Sequence, residues 1–200
     1  MGAGAAAQGG MGTDAAPRGS YHCEIYRAGG SCDLCLHMKE TNFVTSFHFG
    51  TKHGIWKHLA HDKVPNDVVR YWIYSIDEPC PKRYVGYTTN LKARFARFST
   101  HKSTCNSKNS NTSGLATHFK EGCPNDDGDR KKLILNFTIL DFYDSTSRKQ
   151  QLAGHKTQYC KCSECSRAKR LEDRWIFRLG TMFGDTGLNC KDESLQNDGR

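Results

Sequence analysis

The stretch YWIYSIDEPCPKRYVGYTTNLKARFARFSTH, residues 71–101, decides the reading of the fold. YWIYSI (71–76) is a run of aromatic and β-branched residues, which favour a pleated, partly buried strand. RYVGY (83–87) is a second such run, and DEPCPK between them carries two prolines, so the pair reads as a hairpin. TTNLKARFARFSTH then reads as a helix, with Thr89 or Asn90 placed to cap it. Leu91, Phe95 and Phe98 recur at i, i+4 and i+7 and mark its buried face. Arg94 falls on that same face, where a guanidinium rarely sits without a partner.

Toward the C-terminus, residues 102–130 are polar loops around a short helical turn, GLATHF (114–119). LILNFTILDF (133–142) is a further strand. A Cys-rich insert, HKTQYCKCSEC (155–165), precedes a second helix, RAKRLEDRWIFRLGTM (167–182). Leu171, Trp175 and Leu179 trace its apolar stripe, and Glu172 borders that stripe. FGDTGLN (183–189) is a turn-rich close. The two helices thus offer one cation and one anion to the sheet, and the plain alternative to a functional site is a buried Arg94–Glu172 ion pair.

Toward the N-terminus, residues 1–20 form a Gly/Ala leader without the basic start and apolar centre of a secretory signal. Gly2 follows Met1, but Ala6 replaces the Ser or Thr of a myristoylation signal. Residues 21–69 form a Cys/His-rich region of small, zinc-type or β-rich character, residues 70–190 the main domain, and 191–200 a tail. The formal net charge of +8 and a pI of about 9.0 suit a polyanionic partner. No segment approaches the ~20 apolar residues of a membrane span. Ten cysteines without an export signal favour metal binding over disulfides.

W-I-Y (72–74), Y-V-G (84–86), an arginine eight positions after that glycine, L-E-D-R-W-I (171–176) and G-L-N (187–189) occur in order. This order, over roughly residues 70–190, resembles the GIY-YIG nuclease superfamily. The closer resemblance is to the endonuclease domain of Penelope-like retroelements: CDLC (32–35), NFVTSFHFGT (42–51), Cys80 before Y-V-G, and THF (117–119) follow that group's order. The implied fold is α+β, a small three-stranded, mainly antiparallel sheet flanked by helices, with a Cys/His-rich N-terminal extension. Two hundred residues leave no room for a reverse transcriptase, so a solitary or domesticated endonuclease domain, or a fragment, is expected.

The resemblance implies a DNA endonuclease that hydrolyses phosphodiester bonds with one Mg²⁺ or Mn²⁺. Glu172 binds that ion, Arg94 steadies charge on the phosphate, and Tyr74 is general base or water-positioning group. Tyr84 supports the attacking water or the metal's hydration shell, and Asn189 orients the site. Gly86 permits close backbone approach. The chain departs from the pattern at Trp72, at Val85, and at Phe98, where many members carry a histidine; His101 is the substitute proton-transfer group.

Cys32-x-x-Cys35 has zinc-knuckle spacing, and His118 and Cys123 are its expected partners, with Cys23, His37 and Cys105 as rivals. Cys160, Cys162 and Cys165, with His155 upstream, form a second candidate site. Lys82, Arg83, Lys92, Arg97, Lys102, Arg170 and Arg174 are the expected phosphate contacts. One metal site cuts one strand, so nicking is the elementary act, and a homodimer is a route to double-strand cleavage. The alternatives are a catalytically inactive, zinc-stabilised nucleic-acid-binding module and a structure-specific DNA repair nuclease. No small-molecule cofactor is expected, and a DNA substrate implies nuclear residence.

Overall fold

Nine residues from Val69 to Asp77 form the strand on which everything else is built. A computed structural model describes residues 21–65, 68–77, 82–95, 114–121, 135–145, 162–184 and 186–189. In chain order the elements are α1 (Glu24–Arg27), a 3-10 turn (Cys35–His37), β1 (Phe43–Thr45), β2 (Lys52–Gly54), β3 (Val69–Asp77) and β4 (Arg83–Thr88). α2 (Leu91–Phe95), α3 (Gly114–Glu121), β5 (Asn136–Ser145) and α4 (Ser163–Leu179) follow. The fold is α+β, with a two-stranded sheet β1–β2 and a three-stranded sheet in the order β4–β3–β5. All strand pairs within these sheets are antiparallel.

β3 is central, and residues 71–76 are all buried. Successive residues of a strand face opposite sides, and both sides of β3 are covered. On one side Tyr71 stacks on Tyr143 of β5 (4.8 Å between centroids, 3° between planes), and its hydroxyl lies 4.0 Å from Cys165 Sγ of α4. On the other, Tyr74 meets Phe95 of α2 edge-on at 4.8 Å, and Phe95 stacks on Phe137 of β5 at 3.8 Å. Each such buried ring stabilises the fold by roughly 1.5–3 kcal/mol. The β3–β5 register shifts between Ile73 and Tyr74, which leaves Leu140 as an extra residue in β5.

The helix starts and stops follow local chemistry. Asn90 caps α2, its Oδ1 accepting from the Ala93 amide at 2.9 Å. Cys162 caps α4, its Sγ accepting from the Cys165 amide at 3.3 Å. α4 ends at Gly180, whose φ of 66° is left-handed, and His48 lies so close that a Cβ there would stand 2.6 Å from its Cβ.

Each outer edge strand of the larger sheet is met by another segment at one end. On β5, Met38 makes a parallel bridge with Phe137, and the Lys39 amide donates to the Phe137 carbonyl at 2.8 Å. On β4, the Arg83 amide donates to Thr186 O (3.2 Å), and the Leu188 amide donates to Arg83 O (2.9 Å). Tyr21, Leu34, Met38, Val44 and Ile55 share one hydrophobic cluster with Trp72, Ile76 and Phe137, so the core runs across the composition boundary at 69/70. No helix among the described residues is long and apolar enough to cross a membrane.

Candidate active site and metal centre

The register of the hairpin sets Tyr74 opposite Gly86, and Ile76 opposite Tyr84. Tyr74, Gly86 and Tyr84 thereby share a face. A Cβ at position 86 would lie 2.6 Å from the Tyr74 hydroxyl oxygen and 2.9 Å from Tyr84 Cε1. The two tyrosines therefore converge over the one residue without a side chain. Tyr74 is 1% exposed and Tyr84 half-buried. Trp72 is buried beside them, tilted against Phe142 at 5.4 Å, with the Arg70 guanidinium 5.2 Å over its ring. Arg70 is held in turn by a bidentate pair to Asp144 (Nε–Oδ1 2.5 Å, Nη2–Oδ2 2.7 Å).

Asn189 belongs to the same hairpin. It is buried, its Oδ1 accepts from the Val85 amide (2.9 Å) and its Nδ2 donates to the Val85 carbonyl (2.8 Å). A side-chain amide thus supplies the two hydrogen bonds that a neighbouring strand would make. Arg94 is half-buried on α2, next to the Phe95 that packs on Tyr74. Glu172 sits on the packed stripe of α4, between Ala168 and Ile176, with a side chain only 12% exposed. Lys169 Nζ lies 3.9 Å from Glu172 Oε2 and 3.5 Å from Asp173 Oδ1. Among the described residues no ion pair joins Arg94 to Glu172; the carboxylate has Lys169 as a neighbour on its own helix. His101 lies outside the described residues.

The metal centre differs from the expected one. Cys23, Cys32, Cys35 and His61 gather so that their ligand atoms all lie within 4.8 Å of one another. Cys23 enters at the start of α1, and Cys32 and Cys35 bracket the entry to the 3-10 turn. The His61 amide donates to the Tyr21 carbonyl (2.9 Å), which brings His61 beside Cys23. Cys35 Sγ stands 3.7 Å from Cys23 Sγ and 3.2 Å from His61 Nε2, and Cys32 Sγ stands 3.6 Å from the same nitrogen. Those spacings match the edges of a tetrahedron about zinc, where bonds of ~2.0–2.3 Å put ligand atoms ~3.3–3.8 Å apart. The donor set of three sulfurs and one imidazole is a structural zinc set, and the cluster is able to hold such an ion.

Burial and hydrogen bonding together shift the ionisation of three of these ligands. Burial pushes the Cys35 thiol up to about 12. At Cys32 burial acts in the same direction, but hydrogen bonds from the Cys35 amide and thiol and from Leu34 and Cys23 outweigh it and hold the thiol below its ordinary value. Burial lowers His61, which keeps the ring in the neutral form that ligates metal.

Several expected ligands and contacts have other roles. His118 is buried in α3 and is not among the four gathered ligands; Cys123 lies outside the described residues. Of the second candidate cluster, Cys162 caps α4 and Cys165 lies against Tyr71, while His155 and Cys160 lie outside the described residues. Arg83 is not a surface cation. It is buried, Nη1 donates to Thr45 O at 2.6 Å, and its guanidinium sits 4.7 Å over the Phe47 ring, so it ties β4 to β1. Lys92, Arg170 and Arg174 are exposed, Lys82 is half-buried, and Arg97 and Lys102 lie outside the described residues.

His61 is the residue that sequence reading missed. It stands 26 positions from Cys35, beyond any local motif, and the available signal was Cys23 as a third thiol waiting for a fourth ligand. Comparison with family models, with curated proteins and with solved structures returned no match. The fold and site together define an α+β protein with a Cys₃His centre able to hold a structural metal.

Proposed function

We propose that the chain is a GIY-YIG-type, single-metal DNA endonuclease of the kind found in Penelope-like retroelements, which nicks one strand per site. The observation that carries this reading is the convergence of Tyr74 and Tyr84 over Gly86. The resemblance assigns Tyr74 and Tyr84 to the attacking water and Gly86 to close backbone approach. The resemblance assigns the two charges of phosphodiester hydrolysis to Arg94, half-buried on α2, and to Glu172, 12% exposed on α4, the helix against which Tyr71 packs.

Glu172 is a hard oxygen donor in largely dry surroundings, which fits one Mg²⁺ or Mn²⁺ completed by waters. When bound, such an ion supplies Lewis-acid stabilisation at the scissile phosphate. The chain's own residues do the rest. Arg94 binds phosphate oxygens through its planar fork and steadies the charge that develops there. Tyr74 and Tyr84 orient the attacking water. Asn189 acts at one remove, as a positioning residue that fixes the β4 edge between the two tyrosines. DNA is the partner, and nuclear residence follows from it.

The test is conversion of supercoiled plasmid to open circle in Mg²⁺ or Mn²⁺ by wild type, Glu172→Ala and Arg94→Ala. Nicking by wild type and its loss in both variants is expected. A second reading, a non-catalytic DNA-binding module, draws on the near-complete burial of Tyr74 and the full use of the Asn189 amide in structure. Equal DNA binding by all three proteins, with no nicking in either metal, would select it.

A further inference from the structure

One side of α4 and the tip of the β1–β2 hairpin form a surface that phosphodiester chemistry does not use. Arg167, Arg170, Arg174 and Arg178 recur along α4 at spacings of three, four and four, and all are exposed. At about 100° per residue they share one side of the helix, and at ~1.5 Å per residue they span roughly 16 Å. Glu172 and Asp173 fall on other sides. The guanidinium groups of Arg167 and Arg178 lie 4.7 Å and 5.2 Å over the rings of Tyr143 and Trp175, which orders both side chains.

Aromatic rings crowd the C-terminal end of that stripe. Phe177, between Arg174 and Arg178, is 72% exposed. Its centroid lies 6.5 Å from that of Phe49, which meets Phe183 edge-on at 5.9 Å. His48 stacks flat on Phe183 at 3.9 Å and 11°. The hairpin tip is fixed in place: Ser46 Oγ donates to the Leu179 carbonyl at 2.9 Å, and Gly180 admits His48 against the helix end.

A patch of exposed rings on a protein surface marks a binding site, and its border names the partner. Arg174 and Arg178 flank Phe177 along α4, so the occupant combines regularly spaced anions with flat apolar faces. An unpaired DNA strand has both, phosphates for the arginines and base faces for the rings. A duplex hides its base faces in the stack. A second copy would bring the same +8 charge against this side.

We infer that α4 and the hairpin tip hold a single-stranded DNA segment, with Arg167, Arg170, Arg174 and Arg178 on its phosphates and bases stacked on Phe49, Phe177 and Phe183. This rests on the nuclease reading for its choice of DNA, and it narrows the substrate to DNA with an unpaired strand.

Fluorescence anisotropy in Ca²⁺, without Mg²⁺, tests it on a labelled single strand of about 15 nucleotides, its blunt duplex and the matching RNA. Wild type is expected to prefer the DNA single strand. The Phe49→Ala/Phe177→Ala double variant loses roughly 10- to 100-fold in single-strand affinity, about 10-fold per stacked base, with duplex binding unchanged. Phe177→Trp retains it. Arg174→Ala/Arg178→Ala weakens every nucleic acid and flattens the salt dependence. Both phenylalanines are exposed, and unchanged far-UV circular dichroism checks the fold. Undiminished single-strand binding by the double variant overturns the inference, as does equal binding of RNA, or a wild-type dimer that the double variant lacks. Plasmid nicking is scored separately: a wild type that never nicks, beside a double variant that loses single-strand binding, sinks the nuclease reading and leaves this surface standing.

Discussion

A methyl group at position 86 would stand 2.6 Å from the Tyr74 oxygen, well inside contact distance. Gly86→Ala therefore forces Tyr74 or Tyr84 to move, and overpacking of this kind costs about 1–3 kcal/mol. Urea denaturation should show that loss, and nicking should fall with it because the two hydroxyls part. Asn189→Ala removes both hydrogen bonds to Val85 and leaves a buried amide and carbonyl without their partners. A loss of about 2–3 kcal/mol in the same measurement is expected, with Asn189→Asp little better because its second oxygen faces the Val85 carbonyl. Residue identities at the hairpin were legible in the sequence because strand register follows alternation. The role of Asn189 was not, since a side chain that replaces a strand leaves no pattern. Arg83 misled for a related reason: charge alone marks a basic residue as surface, and only the packing of β1 against β4 shows the Thr45 carbonyl and Phe47 ring waiting for it.

At the scale of elements, β3 was readable from its run of aromatic and β-branched residues, and α4 from its one periodic apolar face. The N-terminal elements were not, because α1, the 3-10 turn, β1 and β2 are three or four residues each and no period develops over so short a run. What organises them is the Cys₃His centre, whose fourth ligand lies far along the chain. The purified protein should carry one equivalent of zinc from this centre by mass spectrometry. Cys23→Ser and His61→Ala should each lose it and melt at markedly lower temperature, since a structural zinc site contributes folding energy directly. His61→Cys should retain the metal, as four thiolates also suit zinc. His118→Ala should keep the full equivalent; zinc loss there instead would return His118 to the ligand set.

For the molecule as a whole, the three-stranded sheet shares one hydrophobic core with an N-terminal unit whose Cys₃His cluster is able to hold a metal. Exposed arginines on α4 and Lys92 beyond β4 are the cations that the proposed function would set against DNA phosphates. DNA affinity should therefore fall steeply with salt for wild type and Glu172→Gln alike, because phosphate contacts are made before chemistry. The most direct measurement is the initial nicking rate of zinc-loaded protein on supercoiled plasmid as Mg²⁺ is raised, for wild type beside Glu172→Gln. Saturation with a Hill coefficient of about 1, as one catalytic ion requires, and no nicking by the variant at any Mg²⁺ concentration, is the predicted result. A rate equal in both proteins, or no nicking by folded wild type at any concentration, would contradict it.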